Sequence, residues 1–237
     1  MARPTVLLLH AFPLDARMWD GVQPSLEGAG FDVAAPNLPG DELELGFDSW
    51  ARRLLGLVAG DLVPVGSSMG GYLSFELWRQ APERIAAIAL VGTRATADSP
   101  AQREAREDSI RLLGEAGREP FWEELAPRMF AEEADPAVAA AARALALEQP
   151  ITALVTAQET IRDRVDSRPT LPTIDVPVFV VVGEEDRLTP PSDSEAMVAA
   201  LPNARFSRIA AAGHLIPLER PDAVAGLLVD FLEEVAR

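Results

Sequence analysis

The chain has 237 residues, 48% of them hydrophobic, which is enough for a substantial core and within the size that one α/β domain with an insertion reaches. Its formal charge of −16, with arginine supplying all 21 basic residues, argues against nucleic acid and acidic lipid as partners, since both need a concentrated basic surface. With no cysteine there are no disulfides and no thiolate chemistry, and two well-separated histidines give no basis for a metal site, so no cofactor is expected.

Residues 1–4 lead straight into a strand-like run without a signal-peptide core, and no apolar run approaches the roughly 18 residues of a membrane span; this predicts a cytoplasmic protein with no membrane partner. Strands are predicted at 6–9, 32–35, 62–65, 85–91, 178–182 and 204–209, with a helix at 72–80 and a closing amphipathic helix at the end of the chain. Such alternation is the pattern of an α/β fold, a mostly parallel sheet with helices on both faces. Between about residues 93 and 172 it stops: alanine, glutamate and arginine dominate, and helices are predicted at 101–113, 120–130, 136–147 and 151–164, separated by breaks such as Gln149-Pro150. This segment reads as a helical cap, 93–172, inserted into a core made of 1–92 and 173–237. Within it Phe121, Trp122, Leu125, Met129 and Phe130 recur at helical spacing, a stripe that more often packs on a core than on substrate; Trp122, Leu125 and Met129, with Leu215, are the candidate pocket lining. Trp19, Trp50 and Trp78 read as packing residues.

Gly66-Ser67-Ser68-Met69-Gly70 carries the chemistry, because it fits the G-x-S-x-G pattern at a strand-to-helix turn, where glycine-sized neighbours leave room for a serine held in a strained backbone. Centring the pattern on Ser67 would put Val65 and Met69 where glycines are required, so Ser68 is the candidate nucleophile. A serine hydroxyl needs a neighbouring base, and the base needs an orienting carboxylate. His214, after the strand-like run at 204–209, is the candidate base, and Asp186, after the strongest strand signal at 178–182, the candidate acid. His10 follows the first strand and suits a structural role or one in the oxyanion loop.

The order Ser68, Asp186, His214 and the contexts of these residues resemble the α/β-hydrolase fold superfamily, in its branch of capped serine hydrolases and esterases, over nearly the whole chain. His10-Ala11-Phe12-Pro13 is similar to the family's His-Gly-x-Pro stretch, with alanine for the usual glycine; the resemblance implies the N–H groups of Phe12 and Met69 as the oxyanion hole. Pro36-Asn37-Leu38-Pro39-Gly40 resembles the family's Pro-Asp-x-x-Gly turn, and Asp41 stands where the family often has histidine. Six strands are fewer than the family's eight; with five residues before the first strand run, the opening antiparallel hairpin is expected to be missing, which puts 32–35 at a sheet edge and the cap after the family's sixth strand. The implied activity is hydrolysis of carboxylic esters of small to medium, mostly uncharged acyl groups through an acyl-enzyme, the apolar candidate pocket and the negative charge both favouring uncharged substrates. Lactone and carbon–carbon bond hydrolases, perhydrolases and slow-turnover receptors share the same triad and stay open. Haloalkane dehalogenases and epoxide hydrolases have aspartate where this chain has Ser68.

Overall fold

A computed structural model describes residues 3–38 and 46–237. The segment with Pro39, Gly40 and Asp41 lies outside the described residues, as do Met1 and Ala2. Six strands form one sheet: β1 (Thr5–Leu9), β2 (Val33–Ala34), β3 (Leu62–Ser67), β4 (Ile88–Val91), β5 (Val178–Gly183) and β6 (Ala204–Ile209). Their order is β2-β1-β3-β4-β5-β6 and every pairing is parallel. The two-residue β2 is an edge, as expected for 32–35, and no antiparallel strand precedes β1 among the described residues.

Side chains on a strand point alternately to opposite faces, so the sheet builds two cores. Val6, Leu8, Val63, Val65, Ala89 and Val181 face one cluster, closed by Leu26 of α1 (Gln23–Gly28), by Ile216 of α9 (Ile216–Glu219) and by Val224, Leu228 and Phe231 of α10 (Pro221–Val235). Leu7, Leu9, Ile88, Leu90 and Val180 face the other, closed by α2 (Phe47–Leu57), α3 (Met69–Gln80) and α8 (Pro191–Ala200). Burial on both faces explains why β3 and β5 read as continuous apolar runs.

Between β4 and β5 the chain forms α4 (Pro100–Glu115), α5 (Arg118–Leu125), α6 (Pro136–Glu148) and α7 (Ile151–Arg162) and no strand. Ser99 starts α4 with a capping box, its hydroxyl accepting from the Gln102 N–H while the Gln102 side chain accepts from the Ser99 N–H. The Asp135 carboxylate accepts from the Ala137 N–H at the start of α6. The helix predicted over 120–130 is shorter: α5 stops at Leu125 and a 3₁₀ turn, Ala126–Arg128, follows, because Pro127 has no N–H with which to continue the ladder. No single described helix is long and apolar enough to cross a membrane; α6 and α7 pass only as a pair, and they meet at a 99° bend.

Because all strands run the same way, their carboxyl ends share one rim, and the segments after β1, β3, β4, β5 and β6 meet there.

Candidate active site

The turn after β3 forms as its glycines predict. Ser68 has φ +48 and ψ −106, a conformation L residues rarely take, and opens α3. A Cβ on Gly66 would lie 2.3 Å from the Gly70 carbonyl oxygen, and one on Gly70 would lie 2.2 Å from that of Leu9, so both positions exclude any larger residue. The strained serine is pinned from the next strand: its N–H donates to the Val91 carbonyl at 2.9 Å, and the Thr93 hydroxyl donates to its carbonyl at 2.8 Å. Ser67, by contrast, is fully buried with its hydroxyl unpartnered.

Three side chains from three strand ends line up. Ser68 Oγ is 2.9 Å from His214 Nε2, and His214 Nδ1 is 2.8 Å from Asp186 Oδ2. Asp186 and His214 are 3% and 2% exposed, which shields their hydrogen bond from water. The Asp186 carboxylate is fixed by its own loop: Oδ1 accepts from the N–H groups of Leu188 and Thr189 at 2.9 and 2.8 Å, and Oδ2 from the Thr189 hydroxyl at 2.7 Å. Burial pushes this carboxyl up, but the charge and hydrogen bond of His214 together with the Thr189 donors outweigh it and hold it below its ordinary value. Thr189 also sits 3.2 Å from His214 Nδ1, a contact the sequence did not single out although Thr189 lies in the quoted stretch. Gly92 packs against the same pair, since a Cβ there would be 3.4 Å from Asp186 Oδ2 and 3.7 Å from His214 Nδ1. The end of β4 is therefore within reach of the imidazole, but this chain has no carboxylate at that point. Asp98, further along, pairs with Arg164 at 2.7 Å and Arg106 at 3.1 Å instead.

The histidine loop is tied to the helical segment. The Met129 carbonyl accepts from the N–H groups of His214 and Leu215 at 3.0 and 3.1 Å. Glu219, 6% exposed, accepts from the Gly213 N–H at 3.0 Å with one oxygen and from the Ala131 N–H at 2.9 Å with the other. Burial raises the Glu219 carboxyl, against the pull of those two N–H donors. Neither Met129 as a backbone acceptor nor Glu219 as a bridge left a signal in the sequence pattern.

His10 is turned to another task. Its Nε2 accepts from the Leu38 N–H at 2.8 Å and its Nδ1 donates to the Ala11 carbonyl at 3.1 Å, holding the loop that leads into Phe12. Within the described residues the N–H groups of Phe12 and Met69 have no protein acceptor.

A cavity of about 60 Å³ adjoins Ser68 and His214, walled by Phe12, Tyr72, Ile161, Leu188, Arg94 and Arg106. The residues expected to line it lie elsewhere. Trp122, Met129 and Leu215 are buried at 4%, 1% and 0% exposure in the cluster beneath α10, and Leu125 packs on both cores. The apolar stripe of α5 and the turn after it is thus spent on packing, and the wall comes from Arg94, Arg106 and Ile161, which share no helical period with one another. A larger cavity, about 560 Å³, is also lined by Tyr72 and holds none of Ser68, Asp186 and His214. Among the described residues no group of three or more His, Asp or Glu side chains is arranged to hold a metal.

Residues 6–227 match the model of the alpha/beta hydrolase family. The chain belongs to that family. This alpha/beta hydrolase is 28% identical to the pimeloyl-[acyl-carrier protein] methyl ester esterase of Aromatoleum aromaticum, over 97% of this chain and 98% of that protein. A malate-bound structure of a thermophilic esterase from Thermogutta terrifontis is 33% identical with a TM-score of 0.91, covering 98% of this chain and 90% of that one. The enol-lactonase of Burkholderia xenovorans is 25% identical with a TM-score of 0.85, covering 98% and 92% respectively. As a member of this family, with esterases among the proteins it is similar to, the chain is a hydrolase.

Proposed function

We propose that the chain is a serine hydrolase that cleaves carboxylic esters of small acyl groups through an acyl-enzyme. The observation that carries this reading is the unbroken line from Ser68 Oγ to His214 Nε2 at 2.9 Å and from His214 Nδ1 to Asp186 at 2.8 Å. In that line Ser68 attacks the ester carbonyl carbon while His214 takes its proton, and Asp186 fixes the tautomer that presents a bare Nε2 and stabilises the imidazolium that forms. The developing oxyanion is received by the N–H groups of Phe12 and Met69, and losing one such donor costs about 3 kcal/mol of barrier. The ester C–O bond then breaks and His214 returns its proton to the departing alcohol. A water, deprotonated by His214, attacks the acyl-serine and releases the acid. Residues 93–172 act as the cap: Arg94, Arg106 and Ile161 wall the reaction cavity, and the Met129 carbonyl holds the histidine loop.

Small acyl groups suit a cavity of about 60 Å³. Hydrolysis of p-nitrophenyl acetate and butyrate tests the activity, with labelling by a fluorophosphonate. Steady turnover that drops to the rate of buffer in Ser68→Ala, with loss of the label, is the expected result. Undiminished turnover in Ser68→Ala would refute the mechanism, and one stoichiometric burst followed by silence would favour a receptor. Lactones in the same panel test the reading suggested by the enol-lactonase relative.

A further inference from the structure

The walls of the cavity beside Ser68 carry two guanidinium groups, Arg94 from the loop after β4 and Arg106 from α4, and among the described residues no carboxylate lines it. Both groups are held from one side. Arg94 donates through Nη2 to the Leu188 carbonyl and stands with Nε 3.6 Å from the Asp193 carboxylate. Arg106 donates through Nε to Asp98 at 3.1 Å and through Nη1 to Gln158 at 2.9 Å. Arg94 Nε is buried without a hydrogen-bond partner, and Arg94 Nη1 and Arg106 Nη2 have no hydrogen-bond acceptor among the described residues.

Nor do the neighbouring acids neutralise the pair. Asp98 is divided between Arg106 and Arg164, Asp193 reaches Arg94 only at 3.6 Å, and Asp186 is committed to His214. Leaving Asp186 to His214, the carboxylates of Asp98 and Asp193 are thus shared among three guanidinium groups, those of Arg94, Arg106 and the buried Arg164, in a protein whose formal charge is −16. Placing arginines in a partly dehydrated cavity costs free energy unless an acceptor completes their hydrogen bonds, and an anion does so best, because a carboxylate can accept a charge-assisted bond from the nitrogen each guanidinium has left.

We propose that Arg94 and Arg106 form an anion subsite, so that the preferred substrates are monoesters of short dicarboxylic acids, with the free carboxylate on the arginines and the ester carbonyl at Ser68. The proposal rests on the serine hydrolase reading above and names its substrate class. The free carboxylate takes no part in bond making: Ser68 Oγ bonds to the ester carbon, the alcohol leaves with the proton from His214, and water releases the dicarboxylate. The whole-chain charge that pointed to uncharged acyl groups acts on the approach, where physiological salt screens it beyond about 8 Å. Within the cavity the two arginines act at contact distance.

The test compares monomethyl glutarate with its neutral amide, methyl glutaramate, by pH-stat, with Ser68→Ala as the blank. The expected result is a kcat/KM at least tenfold higher for the acid, carried mainly by KM, and loss of most of that preference in Arg106→Gln and in Arg94→Gln. If Arg106→Gln fails to fold for want of its bonds to Asp98 and Gln158, Arg94→Gln decides alone. Equal kcat/KM for the two esters, or a preference untouched by the substitutions, overturns the anion subsite and leaves the serine hydrolase standing. Should neither ester turn over, calorimetry of glutarate with the intact chain decides. Saturable binding that weakens at least tenfold in Arg94→Gln supports the subsite, and no saturable binding overturns it. Fluorophosphonate labelling of Ser68 reports on the hydrolase reading separately.

Discussion

Replacing His10 with glutamine tests how the loop ahead of Phe12 is held. The imidazole is 1% exposed and uses both nitrogens in its neutral form, accepting from Leu38 and donating to Ala11. Burial, offset only in part by the Ala11 carbonyl and the charge of Asp15, pushes its pKa from 6.5 down to about 4. Between those two values the unfolded chain binds a proton that the folded chain refuses, so stability falls as the pH drops. The contribution of His10 is complete above 6.5 and lost by about 4. At about 1.4 kcal/mol for each tenfold rise in proton concentration, the interval amounts to about 3 kcal/mol. Glutamine keeps one acceptor and one donor but does not titrate. Urea unfolding of the chain and of His10→Gln between pH 4 and pH 7 should therefore show the original chain losing about 3 kcal/mol more than the variant on acidification. Carboxylates titrate in both proteins and cancel in the difference. Parallel curves would refute the account of His10 as a buried neutral ring.

Asp186→Asn keeps the shape of the site but turns an amide N–H toward His214, imposing the wrong tautomer; kcat for p-nitrophenyl butyrate should fall on the order of 10⁴-fold with little change in fold by circular dichroism. The folded Asp186 carboxyl lies below its ordinary 3.8, so its stabilising contribution is present above that value and lost as the pH falls through the folded one. The Asn variant should lack this acid limb in thermal melts taken below pH 4. Gly70→Ala drives a Cβ to 2.2 Å from the Leu9 carbonyl, and backbone cannot swing aside, so about 3 kcal/mol of stability should go, read as a lowered urea midpoint. Glu219→Ala leaves the N–H groups of Gly213 and Ala131 without their acceptors, for a loss of about 3 kcal/mol, whereas Glu219→Gln keeps one acceptor oxygen and should lose less. An equal effect of the two substitutions would show that the bridge is not what holds the histidine loop.

Much of the fold was legible because the signals are local. The runs at 178–182 and 204–209 are apolar or alternating and bounded by turns, and β5 and β6 occupy them with one residue's difference. The predicted 85–91 strand was too long, since Ile85 makes only an isolated bridge to Leu62 and the ladder starts at Ile88. Glycines at 66 and 70 announced a close approach that steric contact with the Gly70 and Leu9 carbonyls demands. The segment between β4 and β5 was legible as helices, but its cavity-facing side was not, since the side of a helix that meets a cavity depends on its neighbours, and Trp122 and Met129 met the core instead.

By itself the sequence determined the alternation of strands and helices, the strained turn at Ser68, and which residue types stand at each strand end, because all of these follow from the chemistry of a few consecutive residues. Only the tertiary structure decided that Ser68 and His214, 146 positions apart, lie 2.9 Å from each other. It also decided that Glu219 bridges two loops and that Arg94 and Arg106 share a wall with the serine. The reason is that parallel strands gather their ends on one rim whatever the length of chain between them, so the charge and shape of that rim are sums over distant segments that no local pattern encodes.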